Sequence, residues 1–187
     1  MKIIETGIPD LLIIQPVVYK DSRGYFFESY NKNDFEQHGL SYDFVQDNQS
    51  FSEYGVVRGL HYQLQPYAQT KLIRVLDGEI YDVAVDIRKD SPTFGKWFGI
   101  ILSSENFYQL LVPKGFAHGF SVLSQKADVM YKCDNFYNKE SERGIIFNDK
   151  SLNIDWKIPE NKMIISDKDK AFPSFQNAEM NFLYKNG

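Results

Sequence analysis

The chain has 187 residues, enough for one domain spanning 1–187 and a substantial core without disulfide or metal staples. Apolar residues at 43% and charged residues at 25% are ordinary for a globular chain, and the net charge of −4 argues against a general nucleic-acid surface. The single cysteine, Cys133, rules out an intrachain disulfide, and neither a membrane-length apolar run nor a signal-peptide pattern is present, so a cytoplasmic location is expected.

The 15 Phe, 12 Tyr and 2 Trp favour β-structure and aromatic-lined sites. In chain order, Leu11 to Val18 predicts a strand interrupted by Pro16, which marks an edge or a bulge. After the turn Asp21-Ser22-Arg23-Gly24, Tyr25 to Tyr30 reads as a strand. Asn33 is the expected cap of a short helix, Asp34 to His38, closed by Gly39. Phe44 to Phe51 is extended, with Gln46, Asn48 and Ser50 sharing a face by period two. The span from Val56 to Val75 is β-rich and unusually basic, and Asp77-Gly78 signals a two-residue hairpin. Ile80 to Ile87 alternates as a half-buried strand, with Tyr81, Val83, Val85 and Ile87 on the apolar face. Short strands follow at Phe98–Leu102, Tyr108–Val112, Phe120–Leu123 and Val129–Cys133, and a helical tail is expected beyond Pro173. Many short strands between turns indicate an all-β sandwich or barrel, here a double-sheet jelly roll with short peripheral helices.

Burying unpaired charge is costly, so a histidine, two arginines and a lysine within one strand-rich span ask for a reason. His61 is either a structural histidine or a general base in the company of Arg58, Gln63 and Lys71. Strict alternation puts Arg58 and His61 on opposite faces, so a shared pocket needs a bulge, which Gly59 permits. Lys71 either snorkels to solvent or points inward as a fixed charge for a developing oxyanion. His118, after Pro113-Lys114-Gly115, is either a loop residue with a function or a surface histidine. His61-x-Gln63 with the later Pro113-x-Gly115-x-x-His118 resembles the two motifs of the cupin superfamily. With Gln63 in place of a second histidine and Lys71 close by, the donor set is poor for a divalent metal.

Several longer runs carry a closer resemblance. Asp21-Ser22-Arg23-Gly24-Tyr25-Phe26-Phe27-Glu28, Gln46 to Ser50, Gly55 to His61, Asp82 to Arg88, Ser91 to Gly95, Pro113 to Phe120 and Ser166-Asp167-Lys168-Asp169 are similar, in order and over nearly the whole chain, to the dTDP-4-dehydrorhamnose 3,5-epimerase family. The resemblance implies a metal-free, cofactor-free cupin jelly roll. It implies a homodimer with exchanged N-terminal strands, acting on a dTDP-linked 4-keto-6-deoxyhexose, with no nucleic-acid or membrane partner. Carried over by motif, His61 is the base, Tyr131 the acid and Asp169 the group that orients His61, while Lys71 and His118 line the sugar site. Arg23, Phe26, Glu28, Gln46, Asp47, Asn48, Arg58, Tyr137, Glu142 and Lys168 hold the substrate's remainder, with Arg23 and Glu28 serving the partner's site. Histidine suits proton removal beside a ketone near neutral pH, and a protonated tyrosine suits return of a proton from the other face. A 3-epimerase, a non-catalytic nucleotide-sugar-binding cupin and a metal-dependent oxygenase are the competing readings.

Overall fold

The computed structural model describes residues 1–184. Two six-stranded sheets laid face to face form its frame. The first sheet holds β1 (Lys2–Glu5), β2 (Leu12–Gln15), β10 (Gln109–Val112), β7 (Lys71–Asp77), β12 (Lys126–Cys133) and β5 (Gln46–Glu53), in that spatial order. The second runs β13 (Glu142–Gly144), β6 (Val56–Gln63), β11 (Phe116–Val122), β8 (Glu79–Asp86) and β9 (Trp97–Ser103), and β14 (Ile164–Ile165) adds parallel to the start of β6. A hairpin arm of β3 (Tyr19–Asp21) and β4 (Gly24–Phe26) stands apart from both. The two α-helices are short, α1 (Lys32–Gln37) and α2 (Asp167–Lys170). This is the expected jelly roll of the cupin kind.

Period-two patterning explains the layers. Ile73 and Val75 of the first sheet meet Ile80, Ala84, Phe116 and Phe120 of the second in a shared interior. Each of the larger of these side chains removed from water contributes about 1.5–3 kcal/mol. The outer face of the second sheet is covered as well: Val57, Leu60, Val83 and Val85 pack under Ile145, Leu152, Trp156 and Phe182. Phe35 of α1 caps Ile14, Leu72 and Leu111 on the outer face of the first sheet.

Several elements differ from the sequence-based expectation, each for a physical reason. Asp77-Gly78 does not close a hairpin, because β7 and β8 lie in different sheets. Gly78, at φ +83°, turns the chain across the sandwich where a Cβ would collide with the carbonyl of Lys126. Ile80 to Ile87 is buried on both faces rather than one, because the segment after β13 covers the side opposite the interior. The first expected strand stops at Gln15, before Pro16. The second shrinks to Gly24–Phe26. The first helix is capped by Asn31, not Asn33; its side chain accepts from the N–H groups of Asn33 and Asp34 at 3.1 and 3.4 Å. Beyond Pro173 the chain makes one 3-10 turn, Phe175–Asn177, and no α-helix among the described residues. No helix among them is long and apolar enough to cross a membrane.

Candidate active site

A cavity of about 340 Å³ opens between the sheets, lined by Gln46, Asn48, His61, Lys71, Tyr131, Tyr137 and Glu142 among others. Register explains the gathering from the first sheet. Tyr131 lies opposite Asn48 on one side and Ile73 on the other, and Cys133 lies between Gln46 and Lys71. Alternation then sends Gln46, Asn48, Lys71 and Tyr131 into the sandwich. Asp47, between Gln46 and Asn48, faces the opposite way and pairs with Lys132 at 3.0 Å.

The second sheet supplies His61 through a defect. Opposite β11 the register jumps, His118 facing His61 and Phe120 facing Arg58, so one extra residue sits in β6. Gly59, at φ +123°, is that residue; a Cβ there would lie 2.6 Å from the Cα of Gly119. The bulge lets Val57, Leu60 and Tyr62 join the outer apolar layer while Arg58, His61 and Gln63 share the inner side. Without it, Arg58 and His61 would be on opposite faces.

His61 is held by Asp169, whose Oδ1 lies 2.8 Å from Nε2. The other carboxylate oxygen of Asp169 accepts the Gly59 N–H at 3.0 Å, and the Asp169 N–H donates to Ser166 Oγ, the cap of α2, at 3.1 Å. Burial alone would raise the Asp169 pKa; the bonds from His61 and Gly59 outweigh it and hold the carboxyl below the usual range. A carboxylate fixed at both oxygens fixes the imidazole in turn, and the nitrogen turned away from Asp169 is the one left for proton chemistry.

Lys71 and Tyr131 face His61 from the other sheet. The Lys71 ammonium lies 5.6 Å from the centre of the Tyr131 ring. Burial pulls the Lys71 pKa down, with Cys133, Asp82 and Glu142 pulling it back. Among the described residues Lys71 forms no ion pair. Burial pushes the Tyr131 phenol up, and Cys133 and Glu142 add to that while Arg58 opposes it. A phenol so placed stays protonated across the neutral range. His118 is neither on a loop nor at the surface: it sits within β11, 7% exposed, with Nε2 at 3.0 Å from both oxygens of Asp82. It lines a small recess with His61 and Lys71.

Around the mouth, Glu142 accepts from Tyr137 Oη at 2.9 Å and pairs with Lys168 at 2.6 Å. Burial works against its charge, yet Lys168 and Tyr137 hold the carboxyl below the usual range. Arg58 reaches from β6 to Ser52 Oγ at 3.0 Å and the Phe51 carbonyl at 3.3 Å. Arg23, Phe26 and Glu28 are not brought to this cavity within the chain. Arg23 sits on the arm, its side chain 88% exposed and, among the described residues, paired only with Asp21; Phe26 is 67% exposed; Glu28 accepts from Asn31 Nδ2 at 3.1 Å beside a different hollow.

Sequence reasoning missed Asp82, read as part of a solvent face, and Ser166, whose place three residues before Asp169 was the available signal for a cap. It also gave Gln63 no contacts. Among the described residues no group of three or more His, Cys, Asp or Glu side chains is arranged to hold a metal ion.

Comparison with known proteins places the chain in a family. The family described as dTDP-4-dehydrorhamnose 3,5-epimerase matches residues 5–177. The dTDP-4-dehydrorhamnose 3,5-epimerase of Shigella flexneri is 56% identical over 180 residues, covering 96% of this chain and 98% of the relative. The crystal structure of the dTDP-4-dehydrorhamnose 3,5-epimerase from Elizabethkingia anophelis NUHP1 superposes with a TM-score of 0.91 at 56% identity, covering 95% of this chain and 97% of that one. The dTDP-6-deoxy-D-glucose-3,5-epimerase of Legionella pneumophila Philadelphia 1, solved in complex with dTDP-4-keto-L-rhamnose, gives 0.94 at 49% identity and covers 99% of both chains. With full-length agreement in sequence and in fold, the chain belongs to the dTDP-4-dehydrorhamnose 3,5-epimerase family.

Proposed function

We propose that this protein inverts C3 and C5 of dTDP-4-dehydro-6-deoxy-D-glucose, giving dTDP-4-dehydro-L-rhamnose. The observation that carries the reading is the placement of a carboxylate-held histidine on one sheet and a protonated tyrosine on the facing sheet, with a buried ammonium beside them. A sugar ring lying between the sheets presents one face to His61 and the other to Tyr131.

The 4-keto group acidifies the hydrogens on both adjacent carbons. His61 removes one, and Asp169 stabilises the imidazolium and keeps the ring aimed. The charge that develops on the carbonyl oxygen is met by Lys71, whose lack of a carboxylate partner leaves its field for the enolate, and by His118 in the adjoining recess. Tyr131 returns a proton to the opposite face, which completes inversion. The hydrogens lost from C3 and C5 start on the same face of the ring, so one base serves both after a small shift of the sugar.

Gln46, Asn48, Arg58, Tyr137, Glu142 and Lys168 form the nucleotide end, with Arg58 suited to forked contacts with the diphosphate. Asp47 belongs to the same segment and sits behind it. Arg23, Phe26 and Glu28 act from the arm of a second subunit in a homodimer. The exposure of Tyr19, Tyr25 and Phe26 together on one small hairpin supports this. The enzyme works in the cytoplasm and without a bound cofactor.

The test is incubation with dTDP-4-dehydro-6-deoxy-D-glucose in deuterated water. Deuterium should enter at C3 and at C5 with inversion at both. Incorporation at C3 alone, with C5 retained, would leave a 3-epimerase; no incorporation would leave a binding protein.

A further inference from the structure

Gln63 lines the cavity two residues after His61 and is 5% exposed, yet no step above uses it. Its amide is fully engaged elsewhere. Nε2 donates to the Tyr67 carbonyl at 2.6 Å and the Phe136 carbonyl at 3.2 Å, and Oε1 accepts the Asn138 N–H at 2.7 Å.

The segment it grips, Asn135 to Asn138, links β12 to β13 and belongs to no sheet. Side-chain amides do the work of a ladder there. The Phe136 N–H goes to Asn135 Oδ1 at 2.9 Å, the Tyr137 N–H to Gln46 Oε1 at 3.0 Å, and the Asn135 carbonyl accepts from Gln69 Nε2 at 2.8 Å. Ordering a loop backbone costs conformational entropy, and these bonds offset it. Only a primary amide both donates twice and accepts, as Gln63 does here.

Tyr137, at the centre of the segment, is 54% exposed at the cavity mouth. We propose that Gln63 is a positioning residue that fixes this segment so that the Tyr137 ring stands ready as a platform for the planar base of the nucleotide. The inference rests on the reading that Tyr137 meets the nucleotide. The clamp consists of neutral amides, so the platform keeps its place across the neutral pH range.

Gln63→Glu tests it, since the carboxylate matches the amide in shape but cannot donate to the Tyr67 and Phe136 carbonyls. The dTDP dissociation constant should rise about tenfold, within the range a lost base–aromatic stack accounts for. Exchange of the Tyr137 and Asn138 amide hydrogens should accelerate, and kcat at saturating substrate should stay within about threefold. In a Tyr137→Ala background, Gln63→Glu should weaken dTDP no further. Should Gln63→Glu fail to fold, Gln69→Ala, which removes one bond to the same segment, should shift dTDP binding about twofold in the same direction. Unchanged dTDP affinity, additive losses in the double variant, or a fall confined to kcat would each overturn the proposal. So would Tyr137→Ala binding dTDP normally, and in that case deuterium incorporation would still decide the epimerase reading on its own.

Discussion

The cavity and the hairpin arm are built on opposite principles. In the cavity, His61 has Asp169, His118 has Asp82 and Glu142 has Lys168, each pair set by strands or by a capped turn. On the arm, Arg23 finds only Asp21 two residues away, and Tyr19, Tyr25 and Phe26 face solvent. Groups that must hold a proton to a fraction of an ångström sit on rigid, satisfied scaffolding. Apart from Tyr25 and Lys20, which meet Phe107, the arm's groups are offered outward among the described residues, so chemistry and part of binding are separable. Four substitutions break or sharpen that contrast.

The largest effect is expected at the base. His61→Asn should lower kcat by about a hundredfold to ten-thousandfold. The dTDP dissociation constant, measured by calorimetry, should move by less than about twofold, because the nucleotide contacts lie elsewhere. Retained turnover would remove His61 from its role and the contrast with it.

Tyr131→Phe should cost about a hundredfold in product formation. Deuterium loss or gain at C3, followed by NMR, should fall less than inversion does, since His61 still removes the first proton. Equal loss of both would make Tyr131 a packing residue.

Arg23→Ala should raise KM by about tenfold, the worth of one forked ionic contact, with kcat little changed. At substrate well below KM, mixing it with His61→Asn subunits should restore about a quarter of the wild-type rate if the arm acts in trans, because half the dimers then carry one intact site. No recovery after verified subunit exchange would return Arg23 to its own chain or to no role.

The smallest effect concerns pH. Burial lowers the Lys71 pKa and raises that of Tyr131, so the alkaline fall in rate should come from Lys71 losing its proton first. Lys71→Arg keeps its charge at any working pH, and should move the alkaline limb upward while leaving the acid limb in place. An unmoved alkaline limb would assign it to another group.

Much of this was legible before any coordinates. That a pocket shared by Arg58 and His61 needs a bulge at Gly59 followed from counting residues, and that Gln46 and Asn48 share a face followed from period two; the structure adds that this face points inward. What failed depended on distant covering. Asp77-Gly78 has the chemistry of a tight turn, but nothing local names the strand that β8 will pair with. Asp82 and His118 looked solvent-bound because nothing local shows that their face of the second sheet, shared with Ile80, Ala84, Phe116 and Phe120, is covered by the first sheet. For Arg23 and Glu28 only the resemblance, through exchanged strands, offered a route to a site; among the described residues neither lines the cavity that holds His61.

His61 and its orienting carboxylate are separated by 108 positions, and Asp169 lies near the end of the chain. A ribosome that has made both sheets' central strands has therefore produced a barrel with an unaimed base. The outer apolar layer closes at the same stage, since Trp156 and Phe182 belong to the same late stretch. Catalytic competence and full covering of the second sheet's outer surface thus both wait for the stretch from Trp156 to Phe182. A product cut off before Ser166 would lack the carboxylate that aims His61 and would leave the outer layer without Phe182, so it would be both inert as a catalyst and less well covered.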